Sequence, residues 1–412
     1  MRFTRRNLLV LVFLGTAVWC GAAERLDAVD RFNYALGTQT FDATYQFTTN
    51  SRLVETAEVM RNMGATVIKF GLMPNYAADG SRRSGNVPKK DPAIHSLTEL
   101  ARDEPSHRRV LDMPFANYVI WMHTIATGAD SWRNGFSDDS RQREYREVYD
   151  LTAYLLKTYS GTGKAFYLGH WEGDGLLGGT IGRENDAKVT PIAVQGMIDW
   201  LTVRQRAVDD AKRDTPHHGV EVWHYTEVNH VTIARDEGRP ALVNEVLPQV
   251  PVDFVSYSAY DTCNSPKPEN IKSALDYIES KLRPKPGITG RRVFIGEYGY
   301  PVGSPKPDGK SEHTAREQDE LSRVVMRAGF EWGCPFVLYW ELYNNEIYPD
   351  GRQRGFWMID DKGEKQPVYL THEKILREGR QYVAEVIKRT GHPPTFEEYR
   401  RKAVEFLTES DK

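Results

Sequence analysis

Eight short runs rich in β-branched and aromatic residues recur along the chain, and a helical stretch follows each one. The runs are Phe32–Leu36, Thr66–Phe70, Tyr118–Met122, Ala165–Leu168, Glu221–Tyr225, Phe254–Ser258, Val293–Gly296 and Phe336–Trp340. Between them, segments such as Glu144–Lys157, Ile192–Lys212, Asn270–Leu282 and Arg316–Ala328 return their apolar residues at spacings of three and four, the helical period. Strand then helix, eight times over, is the pattern of a (β/α)8 TIM barrel of the α/β class. An open doubly wound sheet is the other solution. No G-x-x-x-x-G-K-S/T is present and no G-x-G-x-x-G directly adjoins a run, the single one, Gly173–Gly178, beginning five residues past the fourth, which leaves its nucleotide-binding versions with little support. With no Pro/Ser-rich linker between units, residues 24–412 read as one barrel domain with long βα loops. Helical stretches at Thr371–Thr390 and Thr395–Thr408 would close its outer ring.

Composition narrows the function classes. The 412 residues carry 54 Lys+Arg against 57 Asp+Glu, with 3 Cys and 11% aromatics. That balance speaks against disorder, nucleic-acid binding and a disulfide scaffold. Cys263 and Cys334 fall at opposite ends of a barrel, after the sixth run and before the eighth, so no bridge between them is expected.

The N-terminus has the order of an export signal: Arg2, Arg5 and Arg6, then the apolar run Leu8–Trp19, then Gly21-Ala22-Ala23. Twelve apolar residues are too few to cross a bilayer core of ~30 Å as a helix. Thr4-Arg5-Arg6-Asn7-Leu8-Leu9 resembles the twin-arginine signal of bacteria. The expectation is a signal peptide over 1–23 and a periplasmic or secreted product. Its removal takes away three arginines and no acids, moving the net charge from −3 to −6. Such a chain suits uncharged small-molecule or glycan partners, with no membrane segment in the mature part; oligomeric state stays open.

Barrel active sites lie at the C-terminal ends of the strands. The residues there are Gln39, Lys69, His123, His170-Trp171-Glu172, Glu227 with Asn229 and His230, Tyr260-Asp261, Glu297-Tyr298 and Trp340-Glu341. Carboxylates can act as general acid and nucleophile in glycosidic cleavage, and Trp and Tyr stack on sugar rings. Trp132, in the loop after the third run, is a candidate lid or platform. Glu172 and Glu297 end the fourth and seventh runs, which face each other across an eight-membered ring. Glu227 is the rival to Glu172 as the acid. His123, His170 and Asp261 could supply a metal site in principle, but no metal or cofactor is expected.

In these motifs the chain resembles clan A of the glycoside hydrolases. Ile295-Gly296-Glu297-Tyr298-Gly299 is similar to the clan's strand-seven nucleophile motif, and Tyr260 to the Tyr that hydrogen-bonds that nucleophile. Trp340 is similar to the strand-eight Trp beneath the sugar, and His123 to a strand-three His of several member families. The resemblance implies a retaining double displacement on O-glycosidic, β-linked substrates, with Glu172 as acid/base and Glu297 as nucleophile. Where the clan carries Asn before the acid, this chain has Trp171, leaving the sugar contact to His170 or Asn229. Two other readings stay open: a carbohydrate-binding barrel without catalysis, and a metal-dependent barrel hydrolase or isomerase.

Overall fold

A computed structural model describes residues 25–73, 93–179, 189–303 and 312–409. The export signal expected over 1–23 lies outside them. Eight parallel strands close into a barrel in sequence order: β1 (Leu36–Gln39), β2 (Val67–Leu72), β3 (Asn117–Met122), β4 (Ala165–Gly169), β5 (Glu221–Val228), β6 (Phe254–Ser258), β7 (Val293–Tyr298) and β8 (Val337–Tyr339). Closure is made by β1 on β8, with Leu36 opposite Val337 and Thr38 opposite Tyr339. Parallel neighbours require a crossover, and each is helical. The helices are α1 (Arg52–Met63), α2 (Leu97–Asp103), α3 (Pro105–Asp112), α4 (Asp138–Thr158), α5 (Gly173–Gly178), α6 (Pro191–Asp214), α7 (Val231–Glu237), α8 (Tyr260–Cys263), α9 (Pro268–Lys281), α10 (Ala315–Trp332), α11 (Pro367–Thr390) and α12 (Phe396–Glu409). Among the described residues, no helix is long and apolar enough to cross a membrane.

The period of two along each strand sorts the core into two layers. Residues such as Ile68, Tyr118, Ile120, Val255 and Ile295 face the helices and join the large outer core. Val67, Val119, Trp121, Tyr167, Tyr225, Phe254, Phe294, Phe336, Leu338 and Trp340 fill the barrel itself. Lys69 shares the alternation of Val67, and Glu227 that of Tyr225, so both crown this inner fill near the C-terminal mouth.

The first strand differs from expectation. Phe32–Leu36 was apolar enough to read as a strand, yet β1 starts at Leu36, because Ala35 takes a left-handed φ of 60° that ends any extended run before it. Phe32 and Tyr34 instead meet Tyr399 of α12 edge-on, at 5.2 and 5.4 Å between ring centroids. Cys263 and Cys334 are both buried free thiols.

Candidate active site

A cavity of about 730 Å³ opens at the C-terminal mouth. Its walls include Phe41, Trp121, Trp171, Tyr260, Trp340 and Phe356, and both Glu172 and Glu297 face it. A second cavity of about 780 Å³ lies at the opposite face, between the segments entering β1, β7 and β8 and the start of α12. No carboxylate lines that one. The mouth, where strand ends converge, is therefore the place for chemistry.

Glu297 reaches the mouth through a local irregularity. Val293 and Ile295 point to the outer core and Phe294 inward, so strict alternation would turn Glu297 outward. The pairing of β7 slips on both sides, between Tyr257 and Ser258 on β6 and between Ile295 and Tyr298 against β8. Such an irregularity re-aims a side chain, and Glu297 lines the cavity while Tyr298 returns to the outer core. Glu297 is buried, 4% exposed. The Lys69 ammonium stands 3.9 Å from Glu297 Oε2, and Tyr260 lines the cavity beside the same carboxyl. Burial pushes Glu297 well above the usual carboxylate range; Lys69 opposes this most, the charges of Glu227 and Glu172 add to it, and Tyr260 opposes it further.

Lys69 is fully buried. It donates to Glu227 Oε2 at 3.0 Å and to the Gly296 carbonyl at 2.9 Å, and its ammonium lies 4.3 Å from the centroid of the Trp121 ring. Glu172 follows β4 in a left-handed backbone conformation, φ 35° and ψ 72°. Burial, followed by the negative charges of Glu227 and Asp174, pushes its carboxyl up to about 8.

Aromatic faces build the walls. Trp121 stands 5.9 Å from both Trp171 and Trp340, and Phe41 lies 3.8 Å from Trp121. The Trp340 indole N–H donates to Glu346 Oε1 at 3.2 Å, and Arg354 Nη1 lies 2.5 Å from Glu346 Oε2. Glu346, Arg354 and Phe356 belong to the loop after β8. Asn344 ties that loop together, donating to the Glu346 carbonyl at 2.7 Å and accepting from the Gly355 and Phe356 amides at 3.0 and 3.1 Å.

Of the residues anticipated from sequence, Glu172, Glu297, Tyr260, Trp171 and Trp340 meet at the cavity. The others stand elsewhere. Trp132 is fully buried and stacked on Trp200 at 5.6 Å, its N–H bound to the Ala129 carbonyl, so its loop folds inward and offers no platform. His170 is buried with Nε2 on the Thr226 hydroxyl at 2.7 Å, and burial pushes it well below its usual range. His123 is buried as well, pushed down to about 3 by burial and by the Arg204 cation. Asn229 holds Asp174 instead, its backbone N–H donating at 2.8 Å and its side-chain Oδ1 accepting from the Asp174 amide at 3.4 Å. Glu227 lies beneath the cavity, paired with Lys69. Glu341 turns away, accepting from the Asn345 amide at 2.9 Å. Among the described residues, no group of three or more His, Cys, Asp or Glu side chains converges as a metal site requires. Phe41, Trp121, Glu346, Arg354 and Phe356 were not anticipated; Trp121, inside the third run with the alternation of Val119, was the one open to sequence reading.

No family model and no curated protein matches the chain. Among solved structures it is similar to a Bacteroides uniformis β-glucuronidase 2, with TM-score 0.47 and 11% identity over 83% of this chain and 35% of that one. It is similar to a family 39 glycoside hydrolase from Bacteroides cellulosilyticus, with TM-score 0.47 and 12% identity over 85% and 64% of the two chains. The β-glycosidase BGL167 gives TM-score 0.47 and 13% identity over 79% and 86%. This chain thus spans about a third of the length of the first of these.

Proposed function

We propose that the chain is an exported glycoside hydrolase that cleaves β-linked O-glycosidic bonds of oligo- or polysaccharides with retention. The observation that carries this reading is the meeting of Glu172 and Glu297, from opposite strands, in one cavity walled by Trp121, Trp171, Trp340 and Phe41. Burial raises both carboxyls; because the Lys69 ammonium stands 3.9 Å from Glu297, and among the described residues no ion pair reaches Glu172, we place the resting proton of the pair on Glu172. Glu297, ionised, attacks the anomeric carbon; the C–O bond to the leaving group breaks as Glu172 protonates that oxygen. Water then gives its proton to Glu172 as its oxygen bonds the anomeric carbon and Glu297 is released.

The test is a panel of aryl and oligosaccharide β-glycosides, with product anomers followed by NMR. Replacing Glu297 with Ala is expected to abolish turnover, and Glu172→Ala to cost about 10²- to 10⁴-fold on substrates with poor leaving groups. Because Glu172 must be protonated for the first step, activity is lost as pH rises through about 8; because Glu297 must be ionised and burial raises its carboxyl, activity is also lost toward acid pH. Undiminished hydrolysis by Glu297→Ala, or loss of activity on chelation, overturns the assignment; sugar binding with no turnover of any glycan favours a non-catalytic barrel. For export, N-terminal sequencing of the protein from a bacterial periplasm is expected to begin after Ala23.

A further inference from the structure

We propose that Glu227 is the positioning residue of Glu172: a buried anion at the end of β5 that grips the Glu172 backbone and stands as a fixed negative charge beneath its carboxyl. The inference rests on the acid/base reading of Glu172. Glu227 is fully buried, and among the described residues the hydrogen bonds of its two oxygens are all accepted from donors. Oε2 accepts from Lys69 Nζ at 3.0 Å and from the Ser256 hydroxyl at 2.7 Å, and Oε1 from the Glu172 amide at 2.9 Å. Three donors and no acceptor are what a carboxylate, not a carboxylic acid, satisfies.

The amide it holds belongs to a residue in a costly conformation. A non-glycine residue at φ 35° is strained, because its Cβ crowds the following carbonyl, and persists only where its surroundings over-determine it. Here they do. His170 bonds Thr226, and Asp174 accepts from the Asn229 and Leu242 amides at 2.8 and 2.7 Å, so the loop is laced to β5 and to the segment after α7 on both sides of Glu172. A Cβ on Gly173 would lie 2.4 Å from the Glu227 carbonyl oxygen, so only glycine lets the loop come this close.

A standing charge there has a chemical consequence. In double displacement the charge of Glu297 is consumed when the glycosyl-enzyme forms, whereas Glu227 takes no part in bond making and stays charged. It therefore favours the proton on Glu172 in the resting site and still strengthens Glu172 as the base that takes a proton from water in the second step. The other charged groups that face this pair are Asp174 on the same loop, Lys69 on β2, Glu297 on β7 and Glu346 on the loop after β8. Lys69 is engaged by Glu227 itself.

The test titrates Glu172 without substrate, by pH-difference infrared spectroscopy of the full chain. The protonated-carboxyl band that disappears in Glu172→Gln reports this residue. In folded Glu227→Gln its midpoint is expected to fall by about one pH unit or more, and the basic limb of the pH–rate profile to move down with it; a merely structural role would lower activity at every pH without moving the limb. Because Glu227→Gln leaves a buried ammonium underpaired, the double variant Lys69→Met/Glu227→Gln removes both charges together, and its midpoint is also expected to fall. A Glu172 midpoint at the wild-type value in either folded variant overturns the proposal. Its failure is separate from that of the glycosidase reading, which falls if Glu297→Ala still turns over glycosides whatever Glu172 titrates.

Discussion

Two tryptophans show how far a single residue can be read from its place in the chain. Trp132 and Trp171 both sit just beyond strand ends, and both are plausible sugar platforms by position alone. Trp171 is 38% exposed and lines the cavity, whereas Trp132 is fully buried against Trp200. What separates them is Gly196: its missing side chain leaves room for the Trp132 carbonyl, 2.1 Å from where a Cβ would be. Nothing near Trp132 in the sequence announces a partner 64 residues away. Opposite responses to truncation follow. Trp132→Ala is expected to lower stability by about 3–5 kcal/mol in urea melts, and Trp171→Ala to leave the melt near wild type while raising KM on oligosaccharides. The meeting of Glu172 and Glu297 at one cavity was legible because both follow strands, β4 and β7, that end at the same mouth. The Glu227–Lys69 pair was not, since two residues read as separate mouth positions proved to be one buried contact.

At the scale of elements, the strands were legible where the apolar period was unbroken, as in β6, observed over the same Phe254–Ser258 that the sequence marks. The long helices also appear in place, most starts lying one to six residues earlier than the apolar period marks, while ends such as Lys281 of α9 and Thr390 of α11 fall within one residue of it. Helix α10 begins at a reciprocal cap: the Glu317 amide donates to the Thr314 hydroxyl at 3.1 Å, and the Thr314 amide to Glu317 Oε2 at 2.7 Å. Thr314→Ala is expected to cost about 1 kcal/mol, read by chemical denaturation with no change in KM. The loop after β8 was the element least visible in advance. The Asn344 bonds fold it over the mouth and bring Glu346, Arg354 and Phe356 to the cavity. Such a fold depends on contacts with residues as remote as Tyr45, whose hydroxyl accepts from the Asn344 amide at 3.1 Å.

At the scale of the whole molecule, helix α12 is fastened to the segment entering β1 at the base of the barrel. Tyr399 of α12 donates its hydroxyl to the Tyr34 carbonyl at 3.2 Å and is fully buried between Phe32 and Tyr34. A residue near the C-terminus thus holds the entry to the first strand, and Tyr399→Ala is expected to cost about 3–5 kcal/mol, unfolding the barrel as one unit in coincident fluorescence and circular dichroism transitions. Closed eight-strand topology could be anticipated from the repeat alone; this fastening could not, because it pairs segments 365 residues apart.

The two buried thiols give the barrel a pair of internal clocks. Cys263 lies beyond β6 at the mouth and Cys334 ahead of β8 at the base, and burial raises both thiols above their ordinary range, so neither is reactive until its surroundings open. Alkylation rates followed site by site therefore time the breathing of the two faces independently in the native chain. A glycan held at the mouth is expected to slow the labelling of Cys263 more than that of Cys334, and equal slowing of both would mean that the barrel opens only as a whole.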